Sequence, residues 1–160
     1  MLIEDFKDGE VSGWRYFSDQ VMGGVSEGNA VFVNENSETF ARLQGDVSTA
    51  NNGGFIQIRR DFRAGEIGDA AGLSLRVKGN DTAYYLHLRT AASRRPWQYF
   101  AATFEVTSDW QDIQLPWTDF EANGRGLSGP LDPNDILSIG IVANGRDHRA
   151  QLDLAKISAF

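Results

Sequence analysis

Seventeen glycines in 160 residues, spread along the whole chain, set the main limit on how it folds. Clusters of Gly, Asn and Asp return so often that no stretch keeps a capped helical period. What lies between them is short and has period two. In Leu73–Lys78 the residues Leu73, Leu75 and Val77 point one way, and Ser74, Arg76 and Lys78 the other. After the turn signal Gly79-Asn80-Asp81, Tyr84, Leu86 and Leu88 share an apolar face opposite Tyr85, His87 and Arg89. Trp97–Phe104 alternates in the same way, with Phe100, Ala102 and Phe104 inward and Trp97 and Tyr99 outward. Further strands are expected in 30–33, 39–43, 55–59, 112–115, 136–142 and 151–157, with one helical turn near Trp117–Ala122. About ten short strands joined by loops predict an all-β jelly-roll sandwich of two antiparallel sheets. With no linker or repeat, residues 1–160 read as one domain.

Composition removes several functional classes. There is no cysteine, so disulfides, thiolate nucleophiles and Cys-type zinc sites are excluded, which fits a reducing compartment. The N-terminus has no basic segment followed by an apolar run, and no long apolar run follows elsewhere. A cytoplasmic location without a membrane span is therefore expected. A net charge of -7 repels phosphate backbones, so nucleic acid is not an expected partner. Two histidines, no cysteine and no Gly-x-Ser-x-Gly elbow leave no catalytic constellation. Glu4, Asp5, Asp132 and Asp153 offer oxygen atoms for a structural calcium, but no dense acidic spacing supports one, and no metal site is expected.

Several ordered segments resemble the complex I intermediate-associated protein family. They are Asp19-Gln20-Val21-Met22-Gly23-Gly24-Val25-Ser26-Glu27-Gly28, Asn51-Asn52-Gly53-Gly54-Phe55 with Arg59, and Gly72-Leu73 leading to Arg76-Val77-Lys78-Gly79. Tyr85-Leu86-His87-Leu88-Arg89-Thr90, Trp110 before Leu115-Pro116, and Ile139-Gly140 continue the match. The resemblance implies a galactose-binding-like jelly roll. It also implies a protein partner, such as a respiratory complex subunit met during assembly. No Gly-rich Rossmann fingerprint is present, so no cofactor is expected.

Candidate contact residues come from two places. In the Asp19–Gly28 loop the paired glycines serve local geometry, Met22 is expected to plug the core, and Asp19 either caps backbone amides or meets a partner. The Asn51–Gly54 turn is expected to need positive φ at its centre. If Ile56 and Ile58 point inward, Gln57 and Arg59 join Tyr85, His87, Arg89, Trp97 and Tyr99 on one outward sheet face, with Phe55 beside them. Flat rings next to Arg, Gln and His suit a protein contact, where Trp, Tyr and Arg dominate binding energy. They also suit a glycan. Both readings stand at this point: a non-enzymatic interaction domain of the complex I assembly type, or a carbohydrate-binding module.

Overall fold

The computed structural model describes residues 1–80 and 82–160; Asp81 of the expected Gly79–Asp81 turn lies outside the described residues. The strands in chain order are β1 (Leu2–Glu4), β2 (Arg15–Ser18), β3 (Glu27–Glu35), β4 (Glu38–Val47), β5 (Phe55–Asp61) and β6 (Gly72–Gly79). They continue with β7 (Ala83–Thr90), β8 (Tyr99–Glu105), β9 (Gln111–Pro116), β10 (Glu121–Asn123), β11 (Ile136–Asn144) and β12 (His148–Ala159). One sheet has the order β3-β4-β12-β6-β9, with β1 also paired to β12. The other has the order β10-β8-β7-β11-β5-β2. Each pairing is antiparallel, and the chain crosses repeatedly between the layers, which makes a jelly-roll sandwich.

Alternation fills the interior. Leu73, Leu75 and Val77 of β6 meet Ile56 and Ile58 of β5, Tyr84, Leu86 and Leu88 of β7, and Ile139 and Ile141 of β11 in one buried cluster. Each such aliphatic or aromatic side chain contributes about 1.5–3 kcal/mol by leaving water. Tyr84 is the polar exception. Its hydroxyl donates to Asn80 Oδ1 at 2.6 Å and accepts the Gln151 N–H at 2.9 Å, so the phenol bridges the layers. Burial pushes its pKa up to about 12.

The helical turn expected over Trp117–Ala122 is shorter than that: a 3-10 turn covers Trp117–Asp119, and Glu121 already starts β10. The Trp117 indole donates to the Ala70 carbonyl and anchors that turn. Among the described residues, no helix is long and apolar enough to cross a membrane.

The acidic residues considered for calcium have structural partners. Asp153 is buried and bonded at both oxygens to Arg42 (2.8 and 3.1 Å). Glu4 accepts the Asp5 and Phe6 N–H groups and the Trp14 indole. Asp5 and Asp132 each accept a backbone N–H two residues on, from Lys7 and Asn134.

Candidate functional site

The outward face of the β10-β8-β7-β11-β5-β2 sheet is built in rows by the register. One row runs Arg15, Arg59, Gly140, His87, Ala101, Glu121; the next runs Phe17, Gln57, Val142, Tyr85, Thr103. The strands are not slipped, so Gln57, Arg59, Tyr85, His87, Arg89 and Tyr99 do share one face. Trp97 stands at its border, in the loop before β8. Phe55 also faces outward, edge-on to Phe17 with ring centroids 5.9 Å apart. A groove of about 770 Å³ opens here, bordered by Val21 and Met22 on one side and by Arg94, Pro96 and Trp97 on the other.

The floor of the groove is drier than alternation alone suggests. Gln57 is only 6% exposed, and the buried Oε1 has no hydrogen-bond partner among the described residues. His87 is stacked on Tyr99 at 3.9 Å, and its buried Nε2 is likewise unpartnered. Burial, reinforced by the nearby Arg59 charge, pushes the His87 pKa down to about 3, so the ring is neutral. This corrects the expectation that Gln57 and His87 project freely into solvent. Gly140 is what lets Gln57 settle, because a Cβ there would stand 3.0 Å from Gln57 Oε1.

The guanidinium groups divide into two kinds. Arg89 donates to the carbonyls of Ser93, Arg95, Pro96 and Gln98, at 2.9–3.3 Å. It therefore holds the Ser93–Gln98 loop, and with it Trp97, more than it faces a ligand. Arg59 makes no hydrogen bond or ion pair among the described residues; it lies over the Phe17 ring at 4.7 Å. Burial, with Arg89 and Arg15 nearby, holds its pKa below the ordinary value. Asp61, the next outward residue on β5, is turned to Arg15 at 3.6 Å. Among the described residues, no Asp or Glu lines the groove.

Asp19 is corrected outright as a contact residue, since none of it is exposed. Its carboxylate accepts the Ser26 N–H (2.9 Å), the Ser26 hydroxyl (2.6 Å), and the N–H groups of Gly54 (2.6 Å) and Phe55 (3.3 Å). Burial raises its pKa, but these bonds outweigh burial and the net shift is downward. Asp19 thus ties together the two glycine-rich loops that form one bank of the groove. Gly24 and Gly53 are the cost of that close approach, because a Cβ at either would overlap the carboxylate. Asn51 and Asn52 supply the positive φ expected in the second loop (58° and 60°).

The tie at Asp19 and the rows on β5 and β7 fall within one family match. The family model for complex I intermediate-associated protein 30 covers residues 4–154. The chain belongs to this family. No curated protein sequence matches the chain. Among solved structures, it is similar to a family 11 carbohydrate-binding module from Clostridium thermocellum in complex with a β-1,3-1,4-mixed-linked tetrasaccharide. That match has a TM-score of 0.79 at 16% identity and covers 99% of this chain and 94% of that one. It is also similar to a family 30 carbohydrate-binding module of a Clostridium thermocellum cellulosomal cellulase, with TM-score 0.62, 14% identity and 91% of each chain covered. At these identities the likeness speaks for the fold. This chain and these modules share one architecture.

Several groove residues escaped the sequence reading. Met22, expected in the core, is 60% exposed, and Val21 beside it is 72% exposed. The 3-10 turn Asp19–Met22 explains this: Asp19 points in, so the end of the turn points out. Phe17 was missed because β2 has only four residues. The adjacent rings of Tyr16 and Phe17 were its available signal.

Proposed function

We propose that this chain is a non-enzymatic interaction domain of the complex I assembly type, gripping a protein partner in the groove of the β10-β8-β7-β11-β5-β2 sheet. The observation that carries the reading is the rim. Val21, Met22 and Trp97 are large apolar side chains exposed at 72%, 60% and 55%, and they surround desolvated polar groups. Exposed apolar anchors around a dry polar floor are the arrangement of a protein contact. Family membership supports a partner that belongs to a respiratory complex or to its assembly. Among the described residues, the groove brings together no nucleophile–base pair, and no group of three or more metal-ligating side chains converges.

A second reading has its own support. The flat rings of Trp97 and Tyr99 border the groove, and the fold is shared with carbohydrate-binding modules. Two measurements separate the readings. Calorimetric titration with a β-1,3-1,4-mixed-linked tetrasaccharide should show no binding. Co-purification from the source cell should recover a respiratory complex subunit with the wild-type chain and lose it with Met22→Asp, which places a charge in the apolar rim. Saturable sugar binding abolished by Trp97→Ala would reject the protein-contact reading.

A further inference from the structure

Arg59 is the group on this face whose chemistry is least complete. Its guanidinium is half-buried and packs on Phe17, yet no carboxylate or carbonyl among the described residues bonds to it. The nearby carboxylate, Asp61, is turned to Arg15, and the neighbouring Arg89 adds a second positive charge rather than a partner. A partly desolvated cation without a counter-ion is costly, and a planar fork of donors matches a carboxylate at two points. The chain as a whole carries -7, so the paired positive charges of Arg59 and Arg89 on this floor stand out from its surface.

The geometry points to an acidic peptide segment as the occupant of the groove, with an Asp or Glu carboxylate on Arg59 and a neighbouring apolar side chain against Val21 and Met22. This rests on the protein-contact reading above and adds the chemistry of the partner. Val21 and Met22 offer no hydrogen bond to a sugar hydroxyl, whereas they match a Leu, Ile or Met side chain. Charge complementarity therefore favours a peptide over a glycan, and an acidic one over a basic one.

The test is a random-peptide display selection on the full chain, run in parallel with Arg59→Gln, Arg59→Lys and the wild type. Each variant is first checked for an unaltered thermal unfolding transition. The wild type should enrich peptides with Asp or Glu next to an apolar residue. Arg59→Gln should lose the acidic preference while keeping the apolar one. The best acidic peptide, synthesised and fluorescently labelled, should bind Arg59→Gln at least about tenfold more weakly, with Arg59→Lys in between because it keeps the charge but not the fork. Enrichment of apolar peptides without acids, or equal acidic enrichment on Arg59→Gln, would overturn the inference and leave the protein contact standing. Failure to select any peptide, combined with saturable binding of an oligosaccharide, would overturn both.

Discussion

At the scale of single residues, Asp19 shows how a side chain can shape a site without touching what binds there. Four donors from two loops converge on one carboxylate that water does not reach. Asp19→Ala leaves at least the Ser26 and Gly54 amides buried without partners, at about 1–3 kcal/mol for each group. Relaxation recovers part of that, so the expected loss of unfolding free energy is about 2–4 kcal/mol. Equilibrium denaturation measures it as a lower midpoint at unchanged slope. A loss under about 0.5 kcal/mol, typical of a surface substitution, would mean that the two loops are not joined through this residue. The sequence showed an acid followed by two glycines and a second Asn-Gly cluster some thirty residues on. It did not show that the clusters meet, because pairing between distant loops leaves no periodicity to read. Gln57, Arg59, Tyr85, His87, Arg89 and Tyr99 were legible for the opposite reason: alternation within a strand is local, and a buried inner face fixes it.

At the scale of elements, the long central strands were visible and the short edge pieces were not. β5, β7 and β11 each carry several inward aliphatic residues, so their phase is set many times over. β1, β2 and β10 have three or four residues each, too few to establish a period. The loop Ser93–Gln98 is the element on which the site depends most, and it is held from both sides. Arg89 donates to its carbonyls, while Gln98 Oε1 accepts the N–H groups of Arg94 and Arg95 and Gln98 Nε2 donates to the Arg125 carbonyl. Arg89→Ala should leave the sandwich folded but loosen this loop. Trypsin reports it directly, since the bond between Arg94 and Arg95 is cleavable only when the loop opens. Loss of about 1.4 kcal/mol of local opening free energy corresponds to a roughly tenfold faster nick. An unchanged nicking rate would show that Gln98 alone holds the loop. The same dependence makes Arg89→Ala a poor probe of ligand chemistry, and it is why Arg59 is the residue to vary there.

At the scale of the whole molecule, charge makes two opposing demands as pH falls. The chain carries -7 near neutrality and has a sequence pI near 4.7, so acidification toward that value relieves self-repulsion and favours the compact state. His87 works the other way. Its folded pKa is about 3, while in the unfolded chain it returns to about 6.5. Between these values the unfolded state binds a proton that the folded state refuses. His87 thus contributes stability that is complete above about pH 6.5 and is lost progressively as pH falls toward 3. The slope is at most about 1.4 kcal/mol per pH unit, and Asp19 adds a loss of the same sign once the pH drops below the ordinary carboxylate range. Since self-repulsion is nearly the same in both proteins, the difference between wild type and His87→Gln isolates the histidine. Measured by chemical denaturation from pH 7 downward, that difference should shift steadily in favour of the glutamine variant. A difference independent of pH would mean that the ring protonates in the folded chain as it does in water. The dry groove floor on which Gln57 Oε1 and His87 Nε2 go unpartnered would then be wet, and the physical basis for a buried contact at Arg59 would go with it.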